Sequence, residues 1–571
     1  MRKITVTFFL LIGAVSMGLS WVAYREAATP EAEVPLSRYV PSGALLYLQA
    51  KDFSALLADW NKSPQKQAWL GSSNYEVFSR SRLLLRLNDA GKQFATAAGL
   101  PPDMNFLSQM AGSKSALVLY DIGKLQFIYI TRLPSANAMQ NQLWQTRAKF
   151  ETRSAGGVTF YLRRDTESQR EVEFAVNENY LLLATREDLM ASALQLMAGG
   201  KNQTIDAEPW FAQSVGAAGP TGDLRMVLNL EKIVPSPYFR SYWVQQNISG
   251  MKSYTAAVSD LFRSGKEYRE ERVLLKKVGE AGSTTDNGKA VSDLVRLVPE
   301  GVGIYEAQPC SSIDQCLDVL KTKVLAPHSG PVPPEQLAPE GQLTSGETGS
   351  SSDLETRIDQ TPVQHNSDAE GTAALKDLLQ KSQVNAVLHI QSTERDTAGV
   401  FVRIHAAVAL SGSSDWDETA VRGALTSFIR PSLTASQLGV AWRQSSGYYE
   451  LDGLHPLVAA VRGKYLIVSD DPALINGMLS NVNRKSDLKP AVLVAELNHK
   501  RERDNFARLV TAVDRPDLSP SGTPGRERPP EFLSENIASL SATLAAVSSE
   551  KTVVRDAGDK VLQTVTYQWS Q

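Results

Sequence analysis

Short segments in which apolar and polar residues alternate predict most of the strands in this chain. Residues 116–131 and 384–410 each contain two such segments around a polar turn, so each range predicts a β-hairpin. Apolar residues at helical spacing predict helices near residues 75–98, 136–150, 187–197 and 238–262. The pattern therefore predicts an α+β fold in which helices pack on one face of a mostly antiparallel sheet.

The same short motifs occur twice along the chain, in the same order. Residues 40–47 (VPSGALLY) resemble residues 298–305 (VPEGVGIY), and each motif is a Pro-x-Gly turn followed by an apolar strand that ends on Tyr. Three further pairs match in the same order: 179–184 with 464–469, 226–230 with 493–497, and 256–259 with 545–548. Such collinear matches predict an internal duplication, with two diverged copies of one α+β module in tandem.

The matches also predict the domain organisation. We place the first copy at residues 36–277, a polar linker at 278–291 and the second copy at 292–571. The second copy is longer mainly because of residues 326–371 and 515–531, which are rich in Pro, Gly, Ser and charged residues. These two segments lack the apolar residues that would offset the entropy of ordering, so they are predicted to be disordered insertions.

The first 35 residues are predicted to be a membrane anchor and a linker. Residues 4–24 carry no charge and follow Arg2 and Lys3. A helix of that length spans about 30 Å, and the positive residues before it place the N-terminus in the cytoplasm and the rest of the chain outside. We therefore expect a single-pass protein of a bacterial cytoplasmic membrane, with its bulk in the periplasm. The alternative is a signal peptide cleaved within residues 1–28, because small residues at 18–20 permit cleavage and secretion.

Composition excludes some functions and leaves others open. The chain has 571 residues and a net charge of −3, so it has no basic excess that would attract nucleic acid. The sequence lacks the phosphate-binding loop, the His-Glu-x-x-His motif, paired Cys-x-x-Cys motifs and the Gly-x-Ser-x-Gly motif. We therefore predict no catalytic residues, no cofactor and no metal.

All six histidines lie in the predicted second copy: His328, His365, His389, His405, His455 and His499. A hairpin turn near Ala398 would place His389 almost opposite His405 on one face of the sheet. Two imidazoles there would supply half of a metal site. The interpretation we favour is a solvated strand face that tolerates histidine.

The two cysteines, Cys310 and Cys316, are separated by five residues. Outside the cytoplasm they can form a structural disulfide that joins the first strand of the second copy to its helix. Two buried thiols, or a redox or metal role, are the alternatives.

The Val-Pro-x-Gly-x-x-x-Tyr motif and the strand-to-helix unit at residues 180–185 (YLLLAT) resemble a known family. It is a group of bacterial membrane-anchored extracytoplasmic proteins defined only as a domain of unknown function, the DUF3352 type. The resemblance covers most of the chain from Tyr39 onward. It implies an envelope location, and it implies no catalytic residues.

These features predict a non-catalytic, membrane-tethered envelope protein that acts as an interaction or scaffold module. Its predicted partners are the membrane, through residues 4–24, and another envelope protein or a lipid. One alternative is a carrier or sensor of an apolar ligand such as a lipid, held in a cavity between sheet and helices. Another is an uncharacterised hydrolase with a Ser or Asp beside His389, His405, His455 or His499.

Overall fold

The computed structural model describes residues 34–71, 75, 79–80, 82–237, 251–279, 287–326, 370–395, 402–429, 441–451, 456–503, 505 and 547–569. The predicted anchor at residues 4–24, the predicted insertion at 515–531 and nearly all of the one at 326–371 lie outside these ranges. Among the described residues, no helix has the length and apolar character needed to cross a bilayer.

By their internal contacts the described residues form two compact units. The first unit comprises the chain up to Ala55 together with Asp89–Gln213, and the second comprises Leu56–Asn88 and the chain from Ser214 onward. Each unit is an antiparallel sheet with helices, so the chain has the predicted α+β fold. The predicted copy boundary at residues 278–291 remains a prediction.

The first unit contains a seven-stranded antiparallel sheet. Its strands are β1 (Leu46–Ala50), β2 (Ser115–Asp121), β3 (Gln126–Arg132), β4 (Glu151–Ala155), β5 (Val158–Arg164), β6 (Glu171–Asn177) and β7 (Tyr180–Ala184). They pair in the order β1-β2-β3-β7-β6-β5-β4. The β2–β3 hairpin confirms the first predicted hairpin.

The second unit contains thirteen antiparallel strands. They are β8 (Leu224–Asn229), β9 (Tyr254–Arg263), β10 (Glu267–Lys276), β11 (Ile304–Pro309), β12 (Val384–Arg395), β13 (Val402–Gly412), β14 (Trp442–Gln444), β15 (Tyr449–Leu451), β16 (Leu457–Arg462), β17 (Tyr465–Ser469), β18 (Leu493–Leu497), β19 (Val547–Asp556) and β20 (Lys560–Trp569). They pair in the order β8-β9-β10-β20-β19-β18-β11-β12-β13-β17-β16-β15-β14.

The helices follow the chain between these strands. The α-helices are α1 (Phe53–Lys62), α2 (Pro64–Leu70), α3 (Arg82–Ala98), α4 (Met104–Met110), α5 (Ser135–Ala138), α6 (Gln142–Gln145), α7 (Glu187–Met197), α8 (Pro209–Ala217), α9 (Leu230–Ile233), α10 (Gly288–Val295), α11 (Ile313–Leu320), α12 (Glu370–Lys381), α13 (Glu418–Phe428) and α14 (Pro472–Ser480). Short 3₁₀ turns occur at Leu36–Tyr39, Arg147–Lys149 and Ile205–Ala207, and a π-helical turn at Lys321–Leu325 follows α11.

Local sequence explains where several helices begin. The Asp471 carboxylate accepts hydrogen bonds from the N–H groups of Ala473 and Leu474, and Pro472 is the first residue of α14. Both features favour a helix start, because proline lacks the N–H that the first turn leaves unbonded. Helix α7 matches its predicted range of 187–197. The helix predicted at 238–262 is wrong over its last residues, because Tyr254–Arg263 is strand β9 with Ala256, Val258 and Asp260 buried at strand spacing.

Helices cover both faces of the sheet in the second unit, so the prediction of helices on one face is wrong. One apolar cluster contains Leu317 of α11, Leu379 of α12 and Leu425 of α13, together with Val408 of β13. A separate cluster contains residues of α10 and α14, together with Ala407 and Ala409 of the same strand. Neighbouring residues of β13 therefore enter different cores, and the strand is apolar on both sides because both sides are buried.

The first unit has the same layered construction. Phe174 of β6 and Leu183 of β7 belong to an apolar cluster with residues of α3, α4, α5 and α6. The adjacent Ala175 and Leu182 are also fully buried, and they face the side of the sheet on which α7 packs. Two-sided burial explains why the sequence pattern, which assumed one solvated face, gave an incomplete picture of the layers.

Candidate functional site

The structure does not bring the two predicted hairpin histidines together. In the β12–β13 pair, His389 lies opposite Val408 and His405 lies opposite Ser392. The register differs by three residues from one in which the two histidines face each other, and an odd shift sends the two side chains to opposite faces. The prediction that His389 lies almost opposite His405 is therefore wrong, and the two imidazoles do not form the half of a metal site that was the alternative to a solvated strand face. The turn itself, at residues 396–399, lies outside the described residues.

His389 is a largely buried imidazole whose Nε2 atom has no hydrogen-bond partner among the described residues. Burial, assisted by the positive charge of Lys323, lowers its pKa from 6.5 to about 4. The ring is therefore neutral at pH 7, and its role in the fold is that of a mostly apolar group.

We expect His389 to make the second unit sensitive to acid. Because its folded pKa is depressed, its contribution to stability is full above pH 6.5 and is lost as the pH falls through about 4. After allowance for partial solvent screening, the loss should be about 1–2 kcal/mol. The free energy of unfolding, measured from pH 8 to pH 4, should fall less steeply in His389→Gln than in the wild type. Parallel pH profiles would contradict this role.

His405 lies between two carboxylates. Its Nε2 atom is 3.2 Å from Glu394 Oε2, and its Nδ1 atom is 3.8 Å from Asp470 Oδ1. Burial raises the pKa of Asp470, although the Ala406 N–H donates a hydrogen bond to its carboxylate at 2.8 Å. Among the described residues, the His405 ring thus contacts two carboxylates, and Ser392 lies opposite it in the strand register.

The remaining histidines form no ligand cluster in the part of the chain that is described. His499 Nε2 lies 3.8 Å from Glu550 Oε2. His328, His365 and His455 lie outside the described residues. Within the described ranges, no group of three or more His, Cys, Asp or Glu side chains has the geometry to hold a metal ion.

Cys310 and Cys316 are joined in a disulfide with their Cα atoms 5.7 Å apart. Cys316 is fully buried in α11 and belongs to the apolar cluster of that face, against which Cys310 packs at the end of β11. The Ser312 hydroxyl between them caps α11 by accepting a hydrogen bond from the Gln315 N–H. The disulfide thus joins the end of β11 to α11. That the two cysteines are oxidised in the native protein remains a prediction.

The described residues of the second unit form a cleft of about 390 Å³, which is a candidate binding site. Its lining comes from the end of α10 and the turn after it (residues 295–302), Tyr305 of β11, the loop 484–488, residues 496 and 498, and Lys551 of β19. The turn is the second occurrence of the repeated Pro-x-Gly motif. The sequence shows the motif but not the cleft. The charged loop 484–488 lies about 180 residues further along the chain than the turn, and only the folded structure brings the two together.

A hydrogen-bonded chain of three residues lies in the cleft. The buried Tyr305 hydroxyl donates a hydrogen bond to Glu496 Oε2 at 2.9 Å, and Lys551 Nζ lies 3.3 Å from the same oxygen. Burial, and then the Glu496 charge, raise the pKa of Tyr305 far above its usual range, so the phenol stays protonated. Tyr305 and Glu496 face each other in the β11–β18 register, which fixes their geometry.

Arginine and lysine side chains line the other side of the cleft. The Arg296 guanidinium donates hydrogen bonds to the Arg484 carbonyl at 3.1 Å and to the Tyr465 hydroxyl at 3.0 Å, and it lies over the Tyr465 ring. Arg484 and Lys485 are exposed. Ser486 holds their loop by donating to the Ser292 carbonyl. The lining contains four basic and three acidic side chains, so the cleft suits a polar, anionic group.

Comparisons with known proteins leave the family open. No family model matches the chain, and no curated protein matches it. Among solved structures, crystal form IV of TP0453 shares 11% identity over 43% of this chain and 83% of that one, with a TM-score of 0.25. Crystal form III of TP0453 shares 12% identity over 48% and 90%, with a TM-score of 0.24. The function must therefore be argued from the site.

Proposed function

We propose that this protein is a non-catalytic, membrane-tethered protein of the bacterial envelope. In this proposal residues 4–24 anchor the chain, and two copies of one α+β module present binding surfaces to another envelope component. The observation that carries the proposal is the charged cleft built on the repeated Pro-x-Gly turn. It offers ion-pairing and hydrogen-bonding groups.

The strand order supports the duplication. In the first unit the order is β1-β2-β3-β7-β6-β5-β4, and in the second the order β11-β12-β13-β17-β16-β15-β14 repeats it strand for strand. The three strands β8-β9-β10 likewise correspond to β18-β19-β20. A set of seven strands, and separately a set of three, thus recur with the same pairing order, which favours duplication over chance similarity of short motifs.

Strand register favours a different alignment for the fourth sequence match. Val227 of β8 pairs with Val258 of β9, and Val494 of β18 pairs with Val553 of β19. Since Val227 and Val494 are equivalent in the third match, Val258 is equivalent to Val553. The fourth sequence match, of residues 256–259 with 545–548, instead aligns Val258 with Val547, which lies six residues before Val553.

The character of the cleft favours a polar partner over an apolar ligand. A lipid carrier needs a cavity with mainly apolar walls, whereas this cleft is lined by Arg296, Arg484, Lys485, Lys551 and Glu496 among others. The disulfide of Cys310 and Cys316 is consistent with an oxidising compartment outside the cytoplasm.

Labelling of cysteine in intact bacteria tests the location. If the bulk of the chain is periplasmic and oxidised, a thiol reagent should label the denatured protein only after reduction. The protein should also remain in the membrane fraction after high-salt washing, and a variant lacking residues 4–24 should not. Recovery of the full-length chain from the cytosol with free thiols would refute the proposed address.

Affinity capture of the full-length chain from solubilised envelopes tests the interaction. A specific envelope protein should be recovered with the wild type. Reversal of the cleft charges, as in the double variant Arg484→Glu and Lys485→Glu, should reduce its recovery, while reversal at the exposed Lys464 outside the cleft should not. Turnover of an envelope substrate by the purified chain would refute the non-catalytic assignment.

A further inference from the structure

The Pro-x-Gly turn of the first unit is covered by the chain itself. The Val40 carbonyl accepts a hydrogen bond from the Ile205 N–H, and the Ser42 N–H donates to the Gln203 carbonyl, both at 3.0 Å. The Gly43 N–H donates to Glu208 Oε1, also at 3.0 Å. Gly43 has a φ of 94°, a conformation that favours glycine and turns its N–H toward the carboxylate. An acidic side chain therefore covers this turn.

Aromatic residues next to Glu208 complete the cover. The Phe211 ring packs edge-on against the buried Tyr47 ring, with centroids 5.2 Å apart. The Trp210 indole N–H donates to Glu208 Oε2 at 2.9 Å and so orients the carboxylate. Residues 208–211 (EPWF) thus supply an anion to the turn and a ring to Tyr47 near the start of strand β1.

In the second unit, residues 481–492 provide no counterpart of α8 over the equivalent turn, and the Arg501 side chain donates a hydrogen bond to the Gly301 carbonyl. Residues 481–492, all of them described, contain no helix, and they provide 12 residues between α14 and β18. The corresponding connection between α7 and β8 has 26 residues and contains α8. The Val298 carbonyl, equivalent to that of Val40, accepts from the Asn481 side chain instead. Gly301 repeats the conformation of Gly43 with a φ of 74° and lines the cleft together with Tyr305, the equivalent of Tyr47.

The cleft carries groups that complement an acidic and aromatic segment. Arg484 and Lys485 lie at its rim, and Arg296 and Lys551 line it further in. Val298, Pro299, Val302 and Leu488 offer apolar surface to a ring. Glu300 and Asp487 also line the cleft and would limit the number of acidic groups that it accepts.

We propose that the cleft of the second unit binds an acidic segment with a neighbouring aromatic residue, supplied by a partner protein. The segment takes the place that Glu208 and Phe211 hold in the first unit. Its carboxylate meets the Gly301 turn and the basic rim, and its ring packs on the apolar surface. The inference rests on the proposed duplication and names the class of partner for the proposed interaction function.

The first unit supplies the probe for a test. A labelled peptide with the sequence of residues 203–212 (QTIDAEPWFA) is titrated with the full-length chain in detergent, and binding is followed by fluorescence anisotropy. We expect saturable binding. A peptide with Gln in place of Glu208, and separately the chain with both Arg484→Glu and Lys485→Glu, should each bind at least about tenfold more weakly. The matched control Lys464→Glu should bind the peptide like the wild type.

The inference is overturned if the wild type shows no saturable binding at peptide concentrations up to about 1 mM. It is also overturned if the Arg484→Glu, Lys485→Glu variant binds the peptide as tightly as the Lys464→Glu control. A folded cleft variant is verified by an unchanged thermal unfolding midpoint. If the peptide fails but a partner is still captured from the envelope, only this inference falls. If the peptide binds but the chain is cytosolic, the proposed function falls and the inference stands.

Discussion

Replacement of Asp260 by Asn should destabilise the second unit by about 3–5 kcal/mol, because it leaves the Arg225 charge buried without a counterion. Arg225 Nε and Nη2 donate to the two oxygens of Asp260 at 2.8 Å each, and the two side chains are only 7% and 4% exposed. The Gly222 N–H donates to Asp260 Oδ1, and Arg225 donates to the Gly219 carbonyl. The residues face each other in the β8–β9 register, so the pair also fixes that register.

Denaturant unfolding monitored by far-ultraviolet circular dichroism measures this loss. The double variant Arg225→Met and Asp260→Leu should recover most of it, because removing both charges removes the cost of burying them. Arg153→Met provides the surface control. Arg153 is 50% exposed in its pair with Glu151, so its loss should cost no more than about 1 kcal/mol. If Asp260→Asn lowered the free energy of unfolding as little as Arg153→Met does, the buried pair would not stabilise the second unit as its geometry indicates.

Replacement of Glu173 by Gln should stabilise the first unit at pH 8 by about 2–4 kcal/mol, because the fold must keep this buried carboxyl group protonated at a pH at which the unfolded chain releases the proton. Glu173 on β6 has no solvent exposure, and among the described residues neither carboxyl oxygen has a hydrogen-bond partner of ordinary geometry. Burial, and then the negative charges of Glu171, Glu187 and Asp188, raise its pKa well above 4.5. The carboxyl group is therefore held in its neutral form by the fold.

The pH dependence gives the sign of this effect. A raised folded pKa means that the contribution of Glu173 to stability is full below pH 4.5, its ordinary pKa, and is lost as the pH rises through the folded pKa. The wild type should therefore lose stability between pH 4.5 and pH 8 relative to Glu173→Gln, and the two should be similar at pH 4. Glu151→Gln, at a side chain that is 67% exposed, is the matched control and should follow the wild type. Identical profiles for wild type and Glu173→Gln would mean that Glu173 is solvated or paired in solution.

Local pattern predicted the elements better than the layers. Alternation at residues 116–131 predicted the β2–β3 hairpin, and helical spacing at residues 187–197 predicted α7, because these features depend on near neighbours in the chain. The helix predicted over residues 238–262 was wrong at 254–262, because the alanines and valines there fit both the helical period of about 3.6 residues and the strand period of 2. Burial of alternate side chains on β9 selects the strand, and that burial depends on strands β8 and β10.

The sequence pattern predicted the candidate site less well than it predicted the helices and strands. His389 and His405 were predicted to lie opposite each other, and a shift of three residues in the register placed them on opposite faces. The cleft joins residues 298–302 to Arg484 and Lys485, and the sequence gives no local signal that these segments meet. The repeated turn was visible in the sequence. That Glu208 binds the turn of one copy, while the turn of the other lines a cleft, could be read only from the structure.

By itself, the sequence determined the mixture of helices and strands, the first hairpin and helix α7. These follow from side-chain period and turn residues that act within a few positions. Only the tertiary structure decided the strand order, the burial of Glu173 and of the Arg225–Asp260 pair, and the open cleft of the second unit. Those features arise where segments far apart in the chain exclude water from one another, and their energies depend on that exclusion.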